Sequence, residues 1–207
     1  MSHPVPATAA IAEDSGVCAR AVGTARLSSI DGNLLKCRRI EQFLGAPLPS
    51  EDHQFGESEP HLLDRSALND LLLEREPFFF IDRAVAVGDR IAFAVARMTT
   101  ERSAGHFPGR PIVPLIELCK AMAQAGLILI ALKGDQNEAP IAIGSGRSKA
   151  VAKGLIPAPV DILIKVTLET SRLKVHLVNG STFVGTQKIG TLADILYTLV
   201  PKAGLLG

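Results

Sequence analysis

The sequence lacks the features of a disulfide-stapled, nucleic-acid-binding or membrane-spanning protein. It has three cysteines, Cys18, Cys37 and Cys119, widely spaced and odd in number. They match neither a disulfide framework nor a paired-cysteine metal site, which points to a reducing, cytoplasmic setting. The formal net charge of +1 gives no electrostatic capture of nucleic acid or acidic membrane. The N-terminus has no basic region followed by a long apolar run, so no secretory signal is expected. The most apolar stretch, Ala121 to Leu132, is about half of the roughly 20 residues a membrane span requires. Glu117 and Lys120 cut it off upstream. Internal repeats, metal-ligand spacings and phosphate-cradling glycine loops are absent as well.

What is present is ordinary for a soluble globular chain. Of the 207 residues, 47% are apolar and 21% charged, enough for a sizeable core in one domain with an appendage. Residues 1–65 are rich in Ala, Ser, Pro, Gly and acidic residues. They read as a partly ordered N-terminal extension with one short helix near Leu34 to Leu44, or as a small subdomain folded back on the rest. Residues 66–207 form the main domain. A second short helix is expected around Ser66 to Leu73, capped by Asp64 or Ser66.

From Phe78 the patterns sharpen. Phe78 to Val87 and Arg90 to Met98 are β-branched and aromatic-rich runs flanking Gly88-Asp89, which predicts a hairpin. Leu115 to Leu132 contains no proline and is apolar on nearly all sides, so a buried central helix is expected. Ile141 to Val151 follows as a strand. Val160 to Glu169 alternates, with Ile162, Ile164, Val166 and Leu168 on one face. Arg172 to Val178 and Thr182 to Ile189 flank Asn179-Gly180, a strong hairpin signal. Two strands, one long helix and a meander of strands predict an α+β fold, an antiparallel sheet wrapped around the helix.

The chemistry lies between the second strand and the helix, in Gly105-His106-Phe107-Pro108-Gly109-Arg110-Pro111-Ile112-Val113-Pro114. Three prolines and two glycines in ten residues pin an irregular backbone before a helix N-terminus. Pro114 suits the first helical turn, where a missing N–H costs nothing. Such a loop holds one histidine beside exposed helix N–H groups, an arrangement suited to a base next to a polarised thioester carbonyl.

This stretch, continuing through Ala121-Met122-Ala123-Gln124, resembles the (3R)-hydroxyacyl-[acyl-carrier-protein] dehydratases of the FabZ/FabA type. Their pattern of His-Phe-Pro-Gly-x-Pro, a further Pro and a helix with Ala-x-Gln is matched from His106 to Gln124. Upstream, Pro77-Phe78-Phe79-Phe80-Ile81-Asp82-Arg83 is similar to the family's Pro-Phe-Leu-Leu-Val-Asp-Arg. Downstream, Pro159-Val160-Asp161 stands where the family has Pro-Gly-Asp. The resemblance covers roughly residues 70 to 190. It implies a hotdog fold, a homodimer or higher homo-oligomer with the acyl tunnel at its interface, no cofactor, and an acyl carrier protein or coenzyme A thioester as partner.

By that resemblance His106 is the base that removes the α-proton. Phe107, Gly109, Pro114, Leu115 and Gln124 fall on substrate-binding positions of the loop and helix. The family's acidic residue, contributed across the interface, comes fourteen positions after the histidine, and here that position is Lys120. Leu115 stands where the family has Gly, at the helix N–H that approaches the thioester oxygen. A protonated lysine donates hydrogen bonds but has no lone pair to orient a water. Lys120 therefore reads either as a snorkelling surface residue or as a displaced catalytic group.

Glu117, three residues earlier, lies about 60° away around the helix and roughly 4.5 Å along it. It reads as a substitute acid nearer His106, or as a helix N-terminal carboxylate paired with Lys120 at i,i+3. Gln124 reads as structural, Cys119 as core, Phe78 to Phe80 as core or as the lining of an acyl tunnel, and Arg110 and His176 as exposed. Three functions stay open: reversible dehydration of a 3-hydroxyacyl thioester to the trans-2-enoyl thioester, non-catalytic acyl binding as a partner subunit, and thioester hydrolysis.

Overall fold

The computed structural model describes residues 32–204 apart from 53, 54, 56, 57, 105, 108, 136 and 144–146. Cys18, Gly105 and Pro108 lie outside the described residues.

Strands β2 (Arg83–Val87) and β3 (Ile91–Met98) form the hairpin expected at Gly88, which turns with φ +60°. Alternation of side chains across them sorts small from large. Ala84, Ala86, Ala92, Ala94, Ala96 and Met98 face one layer, while Val85, Val87, Phe93 and Val95 face the other. Both faces are buried, so these strands read as continuous apolar runs. The alanine face is the one on which α4 (Leu115–Ala131) lies, and small side chains let helix and sheet approach closely.

The sheet is antiparallel throughout. Its order is β1 (Pro60–Leu63), β2, β3, β6 (Val160–Arg172), β7 (Val175–Val184), β8 (Gln187–Pro201), β4 (Glu138–Ile143), with β5 (Lys149–Ala152) also on β8. α4 touches β3 through β8, so the sheet curls around one buried helix as the patterning predicts. Ile162, Ile164, Val166 and Leu168 face that helix together, as expected from their spacing.

Among the described residues, the segment ahead of residue 66 supplies a helix, a 3-10 turn at Ser50–Asp52 and a strand. Helix α1, residues 32–44, places Cys37, Ile40 and Leu44 on one face. That face covers Val85, Val87, Phe93 and Val95, opposite α4. It ends at Gly45, whose φ of +67° suits a residue without Cβ and whose N–H reaches the Glu41 carbonyl at 2.7 Å. Strand β1 then pairs with β2, and Asp64 caps α2 (Arg65–Leu71) by accepting from the Ala67 N–H at 2.9 Å.

Four local expectations are corrected. The stretch from Phe78 to Ile81 is irregular rather than strand, because its backbone is bonded to a side chain of α4 instead of a neighbouring strand. The single strand expected from Ile141 to Val151 is two, β4 and β5, each paired with β8. The hairpin expected at Asn179-Gly180 does not exist: β7 runs straight through both residues. The turns fall instead at Leu173, with φ +55°, and at Gly185, with φ +56°.

Gly180 is needed for packing. A Cβ there would sit 3.1 to 3.3 Å from the Met122 side chain of α4. Asn179 accepts the Asp194 N–H at 2.9 Å across a bulge in the β7–β8 pairing. The fourth correction follows from the same strand. His176 shares the α4-facing parity with Val178, Gly180 and Thr182 and is buried, not exposed.

Candidate functional site

Helix α3 (Thr100–Ser103), capped by Thr99, delivers the chain into the histidine loop. The His106 N–H reaches the Ser103 carbonyl at 3.4 Å, and Gly109 takes φ +75°, which suits a residue without Cβ. The exit is tied down on both sides of Ile112. Val113 N–H donates to the Ile156 carbonyl and Ala158 N–H to the Pro111 carbonyl, both at 2.8 Å. Pro114 is the N-cap of α4 rather than a residue of its first turn; its extended backbone lets its carbonyl accept from Glu117 and Leu118. Leu115 and Ile116 open the helix with their side chains in water.

This frame brings two of the three expected catalytic residues together. His106 Nε2 lies 3.7 Å from Glu117 Oε1, with the histidine side chain 47% exposed and the glutamate side chain 8%. Glu117 Oε2 is buried and has no hydrogen-bond partner among the described residues. Burial pushes the Glu117 carboxyl above the ordinary carboxylate range, against the opposing pull of His106, Arg102 and Lys120. The expected Glu117–Lys120 ion pair is not formed; the carboxylate turns to the loop instead. Lys120 is exposed on α4, with its ammonium 5.5 Å from the centroid of the Phe78 ring.

Both ends of the Gln124 amide bond backbone. Its Oε1 accepts the Phe80 N–H at 2.8 Å and its Nε2 donates to the Phe78 carbonyl at 2.6 Å. These bonds hold the irregular Phe78–Phe80 segment against α4. Arg102, which spacing did not single out, braces the same segment. It donates to the Phe79 carbonyl at 3.1 Å and lies 4.6 Å over the Phe80 ring. No local signal marks it, since its partners are more than twenty residues away. Phe107 and Arg110 are exposed on the loop. Among the described residues no group of three or more His, Cys, Asp or Glu could hold a metal ion, and no helix is long and apolar enough to cross a membrane.

No family model matches the chain. Individual proteins do. A 3-hydroxyacyl-[acyl-carrier-protein] dehydratase FabZ of Protochlamydia amoebophila is 32% identical over 155 residues, covering 70% of this chain and 94% of that protein. The chain belongs to the FabZ dehydratase family. A FabZ of Pelotomaculum thermopropionicum is 26% identical over 141 residues, 67% of this chain and 99% of its own. Among solved structures, the dehydratase heterocomplex ApeI:P of Xenorhabdus doucetiae superposes with a TM-score of 0.56 at 12% identity, over 67% of this chain and 94% of that one. Cj0977 of Campylobacter jejuni gives 0.51 at 14% identity, over 65% and 89%. At such identities these two establish the shared hotdog fold alone.

Proposed function

We propose that this FabZ-family protein dehydrates 3-hydroxyacyl thioesters, carried on acyl carrier protein or coenzyme A, through an acid–base pair drawn from one chain. The observation that carries the reading is the 3.7 Å approach of His106 Nε2 to a buried glutamate with an oxygen unpartnered among the described residues. Neutral His106 accepts the proton from the α-carbon. The bond from the β-carbon to its hydroxyl breaks as protonated Glu117 supplies a proton, and the hydroxyl leaves as water. The double bond forms between α- and β-carbons. His106 is then protonated and Glu117 ionised, and a proton passing between them restores both. Burial of Glu117 supports the acid role, because it favours the protonated carboxyl.

In this reading Lys120 is not the acid. The position fourteen residues after the histidine is vacated, and the carboxyl stands one helical turn earlier, within reach of its own loop. Phe107, Gly109, Pro114 and Leu115 line the approach of the thioester to the first N–H groups of α4. The protein works as a homodimer or larger assembly in the cytoplasm.

The test is enoyl absorbance on a 3-hydroxyacyl pantetheine thioester, with free thiol measured in parallel. Turnover by the wild type, lost in His106→Ala and in Glu117→Gln, supports the pair. Turnover unaffected by Glu117→Gln rules out its acid role. Release of thiol without enoyl product would make the protein a thioesterase. A second reading, a non-catalytic acyl-binding or partner subunit, draws on the Leu115 side chain, 41% exposed at the start of α4, where it crowds the approach to that N–H. Silence of wild type, with acyl-pantetheine still bound, would select it.

A further inference from the structure

Two arginines grip the segment that Gln124 clamps. Arg65, the first residue of α2, lies 4.1 Å over the Phe79 ring and donates to the Ile81 carbonyl at 2.6 Å. Arg102, on α3, lies 4.6 Å over the next ring, Phe80, and donates to the Phe79 carbonyl at 3.1 Å. Glu76 joins the two, with one carboxylate oxygen on Arg65 and the other 3.5 Å from Arg102. A guanidinium seated over a ring and bonded to a carbonyl is held in place.

The two differ in how their charge is spent. Arg65 also lies 3.9 Å from Asp82, so two carboxylates share it. Arg102 has one carboxylate partner among the described residues, Glu76, whose side chain is 62% exposed, while its own is 23%. It stands four residues before His106, on the helix whose last carbonyl, that of Ser103, accepts the His106 N–H.

Three cations pull on the Glu117 carboxyl against its burial: His106 from the loop, Arg102 from α3 and Lys120 from α4. His106 is charged only after it has taken the α-proton. Lys120 is exposed, so water and salt screen it. A guanidinium keeps its charge throughout, and Arg102 is the more enclosed of the two permanent cations. Burial alone favours the protonated carboxyl and makes a reluctant acid; a fixed cation nearby makes a readier one.

We propose that Arg102 is a positioning residue of the acid–base pair: held on Phe80 and the Phe79 carbonyl, its charge stabilises the carboxylate that Glu117 becomes on giving its proton to the departing hydroxyl. Its place in the reaction rests on the dehydratase reading, while the electrostatic link to Glu117 is measured without turnover.

The experiment is carbon-13 NMR of the glutamate-labelled full chain, with the Glu117 carboxyl assigned by its loss in Glu117→Gln. A His106→Gln background lets Glu117 titrate without its coupled neighbour. Arg102→Gln keeps an amide donor for the Phe79 carbonyl but no charge, and is expected to move the Glu117 titration to higher pH. Arg102→Lys keeps the charge without the planar fork, and is expected to leave the titration in place. With His106 restored, kcat should fall about tenfold in Arg102→Gln with KM little changed, the scale of one charge removed near a partly buried site. Arg102→Lys should recover most of that loss. A titration unmoved in Arg102→Gln, or moved alike in the glutamine and lysine variants, overturns the proposal. Should Arg102→Gln fail to fold, Glu76→Gln decides: it frees Arg102 of its exposed partner and should move the titration to lower pH, and an unmoved titration overturns the proposal. If the titration moves as expected and the chain turns over no substrate, the charge assignment stands and the dehydratase reading falls.

Discussion

The two halves of α4 differ sharply. In its first two turns Leu115, Ile116 and Lys120 stand in water, and Glu117 is buried with one oxygen unpartnered among the described residues. From Ala125 to Ile130 every residue is buried, and Tyr197 lies across Gly126 with its hydroxyl donating to the Ala123 carbonyl at 2.9 Å. Burial of its surroundings pushes the Tyr197 phenol far above its ordinary value, so it stays a neutral donor. The second half anchors the helix by packing. The first half emerges from the core and carries the carboxylate that faces the loop. An anchored helix with an exposed start is a way to hold chemistry rigidly, since the positioning elements need not be the reacting ones.

The largest effect should come from the exposed half. Turnover is expected to fall about a thousandfold in His106→Ala and about a hundredfold in Glu117→Gln, the range of general acid–base catalysis, with circular dichroism unchanged. Mixing those two variants then sharpens the one-chain claim: because both groups come from the same chain, co-refolded protein should regain no activity. Recovery in the mixture would place the pair across an interface.

The anchored half comes next. In Gly126→Ala the new Cβ would meet Tyr197 Oη at 2.1 Å and its ring carbon at 2.5 Å. The expected loss is about 3 kcal/mol in urea unfolding, at the upper end of overpacking costs. Combining it with Tyr197→Leu should recover part of that loss, and strict additivity would contradict the contact. Between the halves, Gln124→Leu leaves the Phe80 N–H and Phe78 carbonyl without partners. About 2 kcal/mol of stability should go with them.

The smallest effect is on pH dependence. His176 is buried, with Nδ1 3.0 Å from Ser171 Oγ and no partner for Nε2 among the described residues. Burial, and then the charge of Lys133, hold its imidazole below the ordinary value. Its contribution to stability is therefore present above the unfolded-state value of about 6.5 and lost as pH falls through the lower folded value. His176→Leu should flatten the acid limb by at most about 1.4 kcal/mol per pH unit. An unchanged limb would show that His176 titrates alike in folded and unfolded chains.

Much of this was legible locally. The β2–β3 hairpin, the span of α4 and the single-faced apolar set of β6 follow from turn chemistry and periodicity, which neighbouring residues fix. Asn179-Gly180 misled for a physical reason. The same pair that favours a tight turn also permits a bulge and a close helix approach, and only Met122 and Asp194, distant in sequence, choose between them. The strand parity of His176 was hidden likewise, because it depends on which face of β7 meets α4. At the site, the loop motif could be read directly. The partner of Glu117 could not, since i,i+3 spacing allows Lys120 while the loop's path brings His106.

The antiparallel sheet around one helix and the loop that carries His106 could be read from neighbouring residues, because backbone propensity and side-chain period act over a few positions. Only the tertiary structure decided that Glu117 turns to His106, that Gln124 clamps Phe78 and Phe80, and that Lys120 borders a cavity. Those outcomes rest on which distant surfaces meet, and burial and hydrogen-bond satisfaction settle that only once the whole sheet has closed on the helix.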